Sequence, residues 1–103
     1  MFNLSDYTKG WLVGDFDPAL IKSKDIEVGI KEYKKGDTEQ SHKHEIVTEY
    51  TIVLTGRVKM LYQEYEKGRI IKVDPGIWTS FEALEDSITL VIKTPSIPSD
   101  KHL

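Results

Sequence analysis

Short runs of alternating apolar and polar residues, broken by Gly, Pro and Asp, fill most of this chain. Such alternation has the two-residue period of a half-buried β-strand. Residues 10–14 (GWLVG) form a short apolar stretch between glycines, and Ile26, Val28 and Ile30 alternate with Glu27, Gly29 and Lys31. Residues 49–55 (EYTIVLT) are rich in β-branched and aromatic side chains and end at Gly56. Val58, Met60 and Tyr62 alternate with Arg57, Lys59 and Leu61, and further strands are predicted at 70–73, 77–81 and 88–94, the last closed by Pro95. Between them stand turn formers: Lys35-Gly36-Asp37, Lys67-Gly68 and Asp74-Pro75-Gly76. Residues 16–21 suit one helical turn, but no segment carries a sustained apolar stripe of ~3.6-residue period. Many short strands with regular turns predict a closed or nearly closed antiparallel barrel or sandwich.

Composition narrows this further. A length of 103 residues suits one domain, 1–103, with residues 1–9 as an N-terminal arm and 95–103 as an extended, partly ordered tail. Apolar residues make up 39%, which implies a thin core, so a homodimer is expected. Residues 10–14 are the expected edge strand to pair across it. The net charge is −3 and no basic cluster exceeds Lys34-Lys35, which argues against nucleic acid and against an electrostatic membrane partner. With no cysteine, disulfides, thiolate metal sites and a cysteine nucleophile are excluded. The first residues lack a positive, apolar leader pattern, and no stretch approaches the roughly 18 apolar residues of a spanning helix. A cytoplasmic location is the expectation.

Chemistry concentrates at two of the three histidines. His42 and His44 are two apart, so in a strand both imidazoles project to one face, and Glu49 follows on the next strong strand. Two imidazoles and a carboxylate converging inside a barrel suit a divalent transition metal with positions left open. The bland alternative is a pair of polar residues on a solvated face.

The surrounding spacing bears on that choice. Residues 36–56 read GDTEQSHKHEIVTEYTIVLTG: Gly36, five residues, His42, one, His44, four, Glu49, six, Gly56. This spacing resembles the first conserved motif of the cupin superfamily at each fixed position. The resemblance implies an all-β fold, a double-stranded β-helix or jelly-roll barrel, with His42, His44 and Glu49 as metal ligands for Mn, Fe, Ni or Zn. It also implies a small polar metabolite, a sugar or carboxylate, as ligand, with isomerase or oxygenase activity among the family's chemistries. The second cupin motif is degenerate here. Counted from Gly68, its register places Asp74 at the family's proline, Gly76 at its glycine, Thr79 at its metal-binding histidine and Ala83 at its asparagine.

Three readings of the pocket therefore stand: a three-ligand metal site, a metal-free pocket for a small organic ligand, and a binding or assembly module with relic histidines. Alternation from Thr79 turns Phe81 inward and Trp78 outward, towards a subunit interface or second core layer. Met60 and Tyr62 share a face and are read as pocket wall or core, so Thr79, Phe81, Met60 and Tyr62 are the expected pocket lining. His102, near the end of the tail, could restore a third imidazole by folding back.

Overall fold

The computed structural model describes residues 2–103. Ten strands run in chain order: β1 Trp11–Gly14, β2 Ile21–Lys22, β3 Glu27–Tyr33, β4 Thr38–His42, β5 Thr48–Thr55, β6 Arg57–Met60, β7 Gln63–Glu66, β8 Ile70–Val73, β9 Thr79–Ala83 and β10 Ser87–Thr94. Six of them form one sheet in the order β2-β1-β3-β10-β5-β8, and four form a second in the order β4-β9-β6-β7. Apart from the parallel β1–β2 pair, all neighbours are antiparallel. The two sheets face each other as the walls of a jelly roll, the architecture expected of many short strands divided by turns.

One end of the interior is apolar. Val53, Ile71 and Val73 from the six-stranded sheet pack against Val58, Met60, Phe81 and Ala83 from the four-stranded one, with Tyr33, Leu61 and Tyr65 against the cluster. At the tight corner between β5 and β6, Gly56 has φ +80° and a Cβ there would lie 2.3 Å from the Asp86 carbonyl oxygen. Glycine is needed there on both counts.

Several expectations are corrected. Val58 and Met60 are buried, but the strand ends before Tyr62, which is 97% exposed and does not line the pocket. Leu61 and Tyr62 have positive φ, and Met60 pairs with Gln63, so they form the two-residue turn of the β6–β7 hairpin. Residues 16–20 lead through bends into β2 at Ile21 and form no helical turn. On β3 the buried positions are Glu27 and Gly29, not the apolar Val28 and Ile30, because the inner face of this strand lines a polar cavity. In the extended segment 95–103, Ser96 and Asp100 are buried, and Lys43 and His102 exchange two backbone hydrogen bonds of 2.9 Å. No helix among the described residues is long and apolar enough to cross a membrane.

Candidate metal centre and its cavity

His42 closes β4 in one sheet, and Glu49 lies near the start of β5 in the other. His44 sits between them on the crossing segment, past the end of β4. All three are buried, and one donor atom from each lies within 4.8 Å of the others. The two imidazoles meet edge to face with centroids 5.2 Å apart.

Each ring is fixed by its Nδ1. That of His42 lies 3.1 Å from the Gln40 carbonyl oxygen, and that of His44 bonds the Asp100 carbonyl. A carbonyl can only accept, so Nδ1 carries the proton in both rings and Nε2 presents a lone pair. For metal-binding imidazoles this outer hydrogen bond is the usual means of fixing tautomer and orientation. His44 Nε2 is buried with no hydrogen-bond partner, its nearest counter-charge being Glu49 Oε1 at 3.8 Å, beyond hydrogen-bond range. A buried acceptor left in this state calls for an occupant. The Glu49 carboxylate and the Asp100 carbonyl push the His44 pKa above its ordinary value, against the effect of burial. For Glu49, burial acts to raise the pKa, but His44 and Lys93 outweigh it and hold the group ionised below its ordinary value. Donor types, lone pairs and charge thus fit a divalent metal.

The segment around His44 is held by the C-terminal strap. Asp100 accepts backbone N–H bonds from Glu45 (3.0 Å), Ile46 (2.9 Å) and Val47 (2.9 Å), and His102 Nε2 lies 3.0 Å from its Oδ1. Although Asp100 is buried, these donors hold its carboxyl well below the usual carboxylate range. His102 does fold back, as a third imidazole would have to, but its ring engages Asp100 and lies 4.0 Å from Glu45, outside the His42–His44–Glu49 group.

A cavity of about 380 Å³ opens beside His42 and Glu49. Trp11, Lys31, Tyr33, Val91 and Lys93 are among its walls. Thr79 is buried directly across from His42 in the β4–β9 register, and its hydroxyl donates to the Ser80 carbonyl at 3.3 Å. Phe81 lies inward as alternation requires, but it belongs with Met60 to the apolar end, where it packs on Tyr33 at 4.2 Å between centroids. None of the three lines this cavity, so the expected lining is corrected to the six-stranded sheet, which supplies Trp11, Lys31 and Lys93. Trp78 is half exposed, with Lys43 over its ring.

No protein-family model matches the chain, and no curated protein matches it in sequence. Solved structures do match. An uncharacterized conserved protein with a double-stranded β-helix domain from Klebsiella pneumoniae superposes with TM-score 0.71 at 16% identity, over 93% of this chain and 84% of that one. An RmlC-like cupin from Shewanella frigidimarina gives 0.67 at 14%, over 71% and 68%. The chain has the cupin fold. A third structure sharing this cupin barrel, the DMSP lyase DddQ from Ruegeria pomeroyi, gives 0.73 at 14% identity, over 96% of this chain and 54% of that one.

The cupin barrel explains why Lys93, Trp11 and Asp100 escape a reading of the sequence. Lys93 reaches the site because it stands opposite Glu49 in the β5–β10 register, and Trp11 because β1 pairs with β3. Inward alternation along 89, 91 and 93 was a usable signal for Lys93. Asp100 comes from a segment without periodicity, and nothing local marks it.

Proposed function

We propose that this cupin binds a divalent transition metal, Mn, Fe, Ni or Zn, through His42, His44 and Glu49, and takes a small polar metabolite, a sugar or carboxylate, into the adjoining cavity. The observation that carries the reading is His44 Nε2, buried and unpartnered while its Nδ1–H is committed to the Asp100 carbonyl. Glu49 supplies an anionic oxygen and the histidines neutral nitrogen donors, a set suited to metals of this class. A metal bound there would polarise an oxygen of the ligand or of a water. The remaining groups belong to the protein. Gln40 and Asp100 hold the two rings in their metal-ready tautomers, and Trp11 and Tyr33 give the cavity flat apolar surfaces. Isomerase or oxygenase chemistry would be the catalytic form of this reading; the fold alone selects neither.

Elemental analysis of protein purified without chelator or histidine tag tests it. Bound transition metal near one equivalent is expected, with a rise in melting temperature on adding metal by mass action. His44→Ala should lose both together. Absence of metal, combined with no thermal response to Mn, Fe, Ni or Zn, refutes the proposal. A second reading, a metal-free binding or assembly module, is favoured by Thr79 standing beside His42 where the cupin motif calls for an imidazole. That module would retain ligand binding after chelation.

A further inference from the structure

Two ammonium groups converge on one indole in the cavity wall. Lys93 Nζ lies 4.7 Å from the Trp11 ring centroid and Lys31 Nζ lies 5.1 Å from it. The fold enforces this meeting. Trp11 lies against β3 at Gly29, where a Cβ would come within 2.7 Å of the indole, and Lys31 and Lys93 extend from the inner faces of β3 and β10 on either side of it. Like charges brought this close repel unless something negative accompanies them.

Four carboxylates and four lysines line the cavity, but close contacts between them and these two ammonium groups are few. Among the described residues Lys31 has no carboxylate within 4.0 Å, and its ammonium donates to the Lys9 carbonyl at 2.8 Å. Lys93 has one, Glu49 Oε1 at 3.9 Å. Glu27 stands beside Lys93 in the β3–β10 register, but its Oε2 accepts from the Ser96 hydroxyl at 2.9 Å. Glu39 and Asp17 also line the cavity without forming a contact within 4.0 Å of either ammonium, and Lys9 and Lys101 add two more cations to the wall. A metal taken up by Glu49 would claim the carboxylate that Lys93 faces and would itself repel the ammonium. With Glu49 engaged by a metal, Lys93 would be left without a carboxylate within 4.0 Å among the described residues.

We propose that Lys93 and Lys31, backed by Trp11, form an anion subsite beside the metal centre, so that the ligand of this cavity carries an anionic oxygen group, a carboxylate or phosphate. The proposal rests on the metal reading for its linkage to loading and on the Lys–Trp–Lys geometry for the subsite itself. Neither the ligand's carbon skeleton nor a reaction enters it.

Titration calorimetry on manganese-loaded protein provides the test, with succinate, its uncharged isostere succinamide, and methylphosphonate as probes. Succinate or methylphosphonate should bind at least tenfold more tightly than succinamide, and whichever anion binds more tightly identifies the group. Lys93→Met should lose at least tenfold of that affinity, and Lys31→Met should act in the same direction while keeping manganese affinity within about threefold. Removing the metal with chelator should weaken the anion. Equal binding of succinamide and both anions, anion binding unmoved by Lys93→Met, or anion binding unmoved by metal removal overturns the proposal. If manganese itself does not bind, the metal reading has failed, and the same titrations on metal-free protein then decide the subsite. An anion preference abolished by Lys93→Met upholds it, and no preference overturns it.

Discussion

Replacing Asp100 by Ala should destabilise this barrel far more than its position near the chain terminus suggests. The carboxylate accepts three consecutive backbone N–H groups, from Glu45, Ile46 and Val47, and is itself buried. Val47 is 1% exposed, so its N–H would be left without a partner, at about 1–3 kcal/mol. Glu45 and Ile46 are exposed and can turn to water, so each forfeits only the net value of a hydrogen bond, about 0.5–1.5 kcal/mol. A total of about 2–6 kcal/mol, centred near 4, follows, which for a domain of this size lowers Tm by roughly 16–32 °C at the centre of that range. Thermal melts of metal-free protein at neutral pH, followed by circular dichroism, measure it. Asp100→Asn should fall between, since a neutral amide oxygen accepts more weakly than a carboxylate. Acid provides an internal control. Folding lowers the Asp100 pKa from its ordinary 3.8. The carboxylate's contribution is therefore complete above about that pH and is lost as pH falls below it through the folded value. The stability gap between wild type and Asp100→Ala should narrow over that acid range. A Tm loss below about 4 °C, or a gap that stays constant into acid, would refute the reasoning.

Other outcomes follow from the same geometry. Asp100→Ala should also weaken manganese binding about 10–100-fold in chelator competition, because the strap that carries the His44 hydrogen-bond acceptor would be released; unchanged affinity would separate strap from site. Metal affinity should fall as pH drops through the region above the ordinary histidine value of 6.5, since His44 holds its proton more firmly than an ordinary histidine and must release it to coordinate; an affinity that does not change with pH there would count against His44 as a ligand. Gly29→Val should push the Trp11 indole out of its seat, shifting tryptophan emission in a Trp78→Phe background; an unaltered spectrum would mean that Trp11 does not rest on Gly29. A second copy is expected on the outer face of the six-stranded sheet, where Ile30, Leu90, Ile52 and Ile70 stand opposite one another on four adjacent strands. Sedimentation should show a dimer that Ile52→Lys breaks, and a wild-type monomer would end that expectation.

The parts of this molecule legible in its sequence are those governed by local periodicity. Residues 49–55 and 88–94 have β-branched alternation so strong that their strands follow within a residue, and Gly56 and Gly76 mark turns through the backbone they permit. The His-x-His spacing predicted convergence of both rings, and they do converge, although His44 lies beyond the strand that should have carried it. Alternation fails on β3, where both faces matter. Val28 and Ile30 point outward in an apolar row, while Glu27, Gly29 and Lys31 turn into the barrel for reasons of chemistry rather than hydrophobic burial. Tyr62 fails for a different reason: alternation does not announce where a two-residue turn begins when the turn lacks glycine. Asp100 depends on partners 53 or more residues away and nothing local marks it, while Lys93 faces Glu49 across 44 residues, with only the alternation of 89, 91 and 93 to signal it.

The origin of the ligands has a mechanical consequence. His42 belongs to the four-stranded sheet and Glu49 to the six-stranded one, so an ion held between them would act as a rivet through both layers. The apolar cluster already fastens the far end of the barrel, leaving the cavity end as the place where the sheets can part. Loading should therefore suppress opening of that end alone. In hydrogen exchange, amides around β4, the start of β5 and the end of β10 should slow together on metal addition, while those of the β6–β7 hairpin keep their rates.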